Sequence, residues 1–224
     1  MSTPVAALSN HIRELALAHH RNPNEIQWIA VSKNQSLARM LTVIEQGQYQ
    51  FGENYLQEAL LKINALNHKN LIWHFIGPVQ ANKTRAIAQH FSWVHSIDRK
   101  KIAQRLHDQR PDTLAPLNVC IEINLGQEHN KSGIHPENLT ALVDFIQNLP
   151  RLRLRGLMAL PPLTDDKEAQ HHYFRQIRTL FEGLQTLGYP LDTLSMGTSH
   201  DYPAAIAEGA TLLRIGTTLF GKRT

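Results

Sequence analysis

Cysteine is almost missing from this chain of 224 residues: Cys120 is the only one. A disulfide within one chain is therefore impossible, and a reducing, cytoplasmic setting is expected. Lying between Val119 and Ile121, Cys120 reads as a small buried hydrophobe. No apolar run reaches the roughly 18 residues of a membrane helix, and Asn10, His11, Arg13 and Glu14 break up the opening segment. Neither a membrane span nor a signal peptide is expected. Gly/Ser linkers, proline tracts and charge blocks are also lacking, which favours one domain over residues 1–224. The 23 basic and 19 acidic residues leave a net charge of +4 with the basic residues scattered, so an anionic ligand is plausible and a nucleic-acid surface is not expected. The one alternating basic stretch, Arg151 to Arg155, reads as a wet edge ahead of a buried strand. His19-His20 and His171-His172 lack the i,i+4 spacing of a helical metal site. No P-loop or dinucleotide fingerprint occurs, and no coiled-coil pattern argues against a monomer.

What the chain does have is rhythm. Residues 3–20 read as an amphipathic helix with Pro4 near its start and Leu8, Ile12, Leu15 and Ala16 on one face. Eight short apolar runs follow: Ile26 to Val31, Gln50 to Gly52, Leu71 to Ile76, Trp93 to Ile97, Leu117 to Ile123, Leu154 to Ala159, Thr193 to Met196 and Thr211 to Ile215. Helix-like patterns separate them at Leu37 to Gln46, Tyr55 to Leu66, Asn82 to Gln89, Arg99 to Asp108, Leu139 to Leu149, Glu168 to Leu187 and Asp201 to Glu208. Strand and helix alternating eight times predicts an α/β fold, a TIM-type (β/α)8 barrel with an extra N-terminal helix; a doubly wound open sheet is the competitor. Both gather ligands beyond the C-terminal ends of their strands.

Those strand ends hold the chemistry. Lys33 follows the first run, and an amine there can form a Schiff base with an aldehyde or ketone, or simply belong to a solvated loop. Ser199 follows the seventh run, and Gly216 and Thr217 follow the eighth, where barrels often bind phosphate through backbone N–H groups and hydroxyls; sharp turns are the plainer account. Arg214 interrupts an apolar strand, so its permanent charge must find a partner or face the pocket. Beside a ring nitrogen it would disfavour protonation there and limit the ring as an electron sink. In Trp73-His74-Phe75, His74 faces opposite its aromatic neighbours, into the barrel or toward a partner within it.

An ordered set of motifs resembles the YggS/PROSC-like pyridoxal 5′-phosphate homeostasis proteins. It comprises Ala30-Val31-Ser32-Lys33, Phe51-Gly52-Glu53-Asn54-Tyr55, Trp73-His74-Phe75-Ile76-Gly77, Asn82-Lys83-Thr84-Arg85 and His95-Ser96-Ile97-Asp98-Arg99. Lys131-Ser132-Gly133, Gly156-Leu157-Met158, Leu194-Ser195-Met196-Gly197, Arg214-Ile215-Gly216-Thr217 and Phe220-Gly221 complete it. The resemblance implies a barrel of the alanine racemase N-terminal type, with Lys33 as Schiff-base lysine, Arg214 facing the pyridine nitrogen, and Ser199, Gly216 and Thr217 on the phosphate. It also implies Asn54 as a pocket residue and Met196 as part of the wall, with Lys131 a surface charge or a transient external amine. Pro78 stands where the family often has histidine and Thr198 where it often has methionine.

The implied function is to hold pyridoxal 5′-phosphate and deliver it to apoenzymes, with effects on amino-acid and keto-acid balance. A small racemase is the alternative. Racemization needs acid/base groups on both faces of the adduct, and Lys33 serves one face only.

Overall fold

The computed structural model describes residues 2–125 and 132–221, so Lys131 lies outside the described residues. The eight strands are β1 (Gln27–Val31), β2 (Gln50–Glu53), β3 (Ile72–Phe75), β4 (Trp93–Ile97), β5 (Leu117–Ile123), β6 (Leu152–Ala159), β7 (Thr193–Thr198) and β8 (Leu212–Ile215). They pair in parallel and in chain order, and β1 against β8 closes the ring, which decides for the barrel over the open sheet. Around it run α1 (Pro4–Ala18), α2 (Leu37–Glu45), α3 (Leu56–Ala65), α4 (Thr84–His90), α5 (Lys100–Gln109), α6 (Leu139–Gln147), α7 (Lys167–Thr186), α8 (Tyr202–Ala207) and α9 (Thr217–Phe220).

Local signals place the ends of these helices. Thr3 accepts from the Ala6 amide ahead of Pro4, Ser36 caps α2 through the Arg39 amide, and Asp166 takes the amides of Glu168 and Ala169 to start α7. The wet edge expected at Arg151 to Arg155 is partly strand, since β6 begins at Leu152. Within it Arg153 is exposed, while Arg155 lies over the Trp93 ring and pairs with Asp192.

Strand alternation divides the side chains into two environments. Outward residues such as Ala30, Phe51, Trp73, Phe75, Leu194, Met196 and Leu213 join one large core beneath the helices. Inside the barrel the apolar cluster is small: Ile29, Val31, Ile76 and Leu212. His74, Ser195 and Arg214 occupy the inward alternation of β3, β7 and β8 and are buried. The interior is thus half polar, and its polar groups lead toward the C-terminal opening. Cys120 is buried as expected, and burial pushes its thiol up to about 12. Among the described residues no helix is long and apolar enough to cross a membrane.

Candidate functional site

A cavity of about 350 Å³ opens at the C-terminal ends of the strands. Lys33, Asn54, Ser199, Arg214, Gly216 and Thr217 all line it, so chain segments far apart in sequence meet on one space. Met196 does not. The alternation that turns Ser195 into the barrel turns Met196 out against the helices, where it is fully buried.

Lys33 sits just beyond β1 on a turn fixed by backbone bonds, Ser32 N–H to Gly52 O at 3.0 Å and Gln35 N–H to Ser32 O at 3.0 Å. Asn34 takes a left-handed conformation with φ of 60°, and its amide donates to Glu58 Oε1. Beneath the turn, Lys62 donates to the Ser32 carbonyl at 2.6 Å and to Glu53 Oε1 at 2.7 Å, and Ser32 Oγ donates to the same Glu53 oxygen. Glu53, one residue past the apolar run that ends at Gly52, is a fully buried member of β2 that braces the lysine turn. Burial raises its pKa, while hydrogen bonds from Lys62 and Ser32 pull it back down.

Across β8 from β1, the turn after β7 is tied by Asp201, which accepts from the Thr198 amide and hydroxyl at 2.6 and 2.8 Å. That turn presents Ser199, whose Oγ accepts from the amides of Gly216 at 3.1 Å and Thr218 at 3.0 Å. A hydroxyl and two amides therefore converge at the start of α9, and the Thr218 amide had no side-chain signal in the sequence. A Cβ on Gly216 would meet Val31 only at an ordinary 3.5 Å, so packing within the protein does not demand glycine there.

Arg214 donates through Nη1 to the carbonyl and hydroxyl of Ser195 and through Nη2 to the Ala159 carbonyl. Burial pulls the guanidinium down to about 10, which leaves it charged at neutral pH. Glu122, buried on β5, is pushed up to about 7 by burial and by Asp98, with Arg214 opposing. Two side-chain oxygens of lining residues, Asn54 Oδ1 and Gln35 Oε1, are buried with no hydrogen-bond partner among the described residues.

Gly77 lies against the backbone of Asn54, which lines this space. A Cβ there would overlap the Asn54 backbone carbonyl, so only glycine lets the β3 end cross so close. Gly77→Ala should cost about 1–3 kcal/mol and displace Asn54. Urea denaturation checks the stability, and wild-type stability would show that this backbone yields without cost.

A parallel barrel with a lysine after β1 and an arginine on β8 defines a class, and the family model for the alanine racemase N-terminal domain matches residues 5–224. A pyridoxal phosphate homeostasis protein of Pseudomonas aeruginosa is 53% identical over 219 residues, covering 98% of this chain and 94% of its own. The Haemophilus influenzae protein of the same name is 49% identical over 208 residues, covering 91% of this chain and 88% of its own. PipY of Synechococcus elongatus, solved with PLP bound, matches with a TM-score of 0.83 at 37% identity, covering 94% of this chain and 99% of that one. Alanine racemase of Clostridium difficile shares the fold, with a TM-score of 0.73 at 15% identity over 96% of this chain and 55% of the racemase. The chain belongs to the alanine racemase N-terminal domain family and, within it, to the pyridoxal phosphate homeostasis proteins.

Proposed function

We propose that residues 1–224 act as a single barrel domain that binds pyridoxal 5′-phosphate at this cavity, holds it through Lys33 and passes it to apoenzymes. The observation that carries the reading is the convergence of Lys33, Arg214 and the Ser199–Gly216–Thr217 cup on one cavity. The donor set fits the group. An amine suits an aldehyde, the cup suits a phosphate, and the oxygens of Asn54 and Gln35 can each accept from a ligand donor. Gly216 lines the same cavity and adds no side chain to it.

Bound, the cofactor would supply an aldehyde reactive toward amines and a ring able to take up electron density. Lys33 would fix its position covalently. Arg214, charged and held by two carbonyls and a hydroxyl, would donate to the ring nitrogen and keep it unprotonated. That restraint favours storage over carbanion chemistry, and the names of the relatives agree with a homeostasis role. No tyrosine is among the lining residues; Tyr202 bonds His11 at 2.6 Å instead. Met196 would support the site only through the core behind β7. We place the protein in the cytoplasm, given its single buried cysteine, as a monomer.

Borohydride treatment of the cofactor-loaded protein, followed by peptide mass mapping, should find a pyridoxyl group on Lys33. Fully loaded protein with Lys33 unmodified would overturn the reading.

A further inference from the structure

A hydrogen-bonded chain crosses the barrel interior behind Arg214. His74 Nε2 meets Gln50 Oε1 at 3.2 Å, and His74 Nδ1 meets His95 Nε2 at 3.0 Å. His95 Nδ1 meets Ser195 Oγ at 2.7 Å, and Arg214 Nη1 reaches the same oxygen at 2.7 Å. The members come from β2, β3, β4, β7 and β8, so the chain runs from the start of β2 to the cavity. His74, His95 and Ser195 have no solvent exposure, and Arg214 has 4%.

The Gln50 end and the neutrality of the two rings dictate the direction of every link. A guanidinium only donates and an amide oxygen only accepts. Gln50 Oε1 therefore requires a hydrogen on His74 Nε2. Burial holds both rings neutral, with His74 at about 3 and His95 well below its ordinary value, the latter also because of His74 and Arg214. A neutral His74 with its hydrogen on Nε2 leaves Nδ1 bare, to accept from His95 Nε2–H. His95 Nδ1 is then bare and accepts the Ser195 hydroxyl hydrogen. Ser195 Oγ keeps its lone pairs for Arg214. Reversing any link would set two hydrogens or two lone pairs face to face in a dry interior.

The rings have little freedom to turn. His74 stacks on Trp93 with centroids 5.4 Å apart and planes 16° apart, and His95 meets His74 edge-on at 5.2 Å. Barrel interiors are usually filled with branched apolar side chains, and two neutral histidines in their place carry a desolvation cost that packing alone does not require.

We propose that His95 and His74 are positioning residues for Arg214: through the Ser195 hydroxyl they fix the direction in which it can donate and so hold the guanidinium against the cavity. What Arg214 faces there rests on the cofactor reading above.

Histidine-selective ¹⁵N NMR of the cofactor-free protein tests the chain by itself. At about pH 7 both rings should be neutral with the hydrogen on Nε2. A hydrogen on Nδ1 of either ring, or a protonated ring, would overturn the proposal. Ser195→Ala then cuts the chain next to Arg214 with little change in volume, and His95→Leu cuts it one step further back. In loaded protein both should shift the visible band in the direction that Arg214→Gln shifts it and weaken cofactor binding about tenfold. If His95→Leu does not fold, Ser195→Ala decides: a wild-type band and affinity there reduce the chain to packing and reject the proposal. Failure of wild-type protein to carry a pyridoxyl group on Lys33 would instead reject the cofactor reading, while the tautomers of the cofactor-free protein still judge the chain.

Discussion

Lys33→Ala should abolish the visible band of the bound cofactor and the borohydride-trapped adduct. Only noncovalent contacts, from the Ser199 cup, Arg214, Asn54 and Gln35, would remain, so the cofactor should wash out on dialysis with affinity reduced about 100-fold or more. Stability of the cofactor-free protein should change by no more than about 1 kcal/mol, because the turn is held by the backbone bonds of Ser32 and Gln35 and by Lys62 beneath it. Absorbance after dialysis, with denaturation as the control, measures both. A folded variant that keeps the band would move the covalent attachment to another amine and remove the basis of the functional reading.

Replacing Lys62 attacks the same turn from below. Lys62 is 5% exposed, and its ammonium bridges Glu53 Oε1 at 2.7 Å, Glu58 Oε1 at 2.6 Å and the Ser32 carbonyl at 2.6 Å. Lys62→Met leaves the carboxylate of Glu53 buried without its cation, and its Oε2 already has no partner among the described residues. The expected cost is about 3–5 kcal/mol at neutral pH. Without Lys62, the raised pKa of Glu53 should rise further, because two of the influences that lower it are gone. A carboxyl whose folded pKa is raised binds its proton more tightly folded than unfolded, so the penalty is full above the folded pKa. It should fade as pH falls toward the ordinary value of 4.5. Urea denaturation at neutral and mildly acidic pH tests this. A penalty below about 1 kcal/mol, or one that grows on acidification, would mean that Glu53 does not depend on this cation.

Much of this architecture was legible because strands and helices alternate without interruption. The eight strand positions emerged, including the short β2, made faintest by Gln48 ahead of it and Gln50 at its start. The main boundary shifts also have local reasons: β6 starts earlier than the apolar pattern because Arg153 and Arg155 occupy its outer end, and β7 runs on to Thr198, whose amide Asp201 holds. α9 is only four residues long, too short for any periodicity to register. At the candidate site, Lys33, Arg214, Ser199, Gly216 and Thr217 stood out as polar or small residues at strand ends. Met196 was misplaced because motif membership does not say which face a strand residue occupies; counting by two from Ser195 would have said so. The Glu53–Lys62 brace and the His74–His95 pair were harder to find, since each depends on contacts between different elements that no local pattern reveals.

The closing of β1 on β8 bears on how the protein is made. Lys33 leaves the ribosome well before Arg214, and α1 packs against α8 and α9 rather than against its sequence neighbours alone. Until β8 is released, β1 has an open edge on that side and Ser199 lacks the Gly216 and Thr218 amides that meet it. Such distant pairings fold slowly. A ligand that recognises only the finished ring would act after synthesis, as a fastener on completed molecules and not as a template for growing ones.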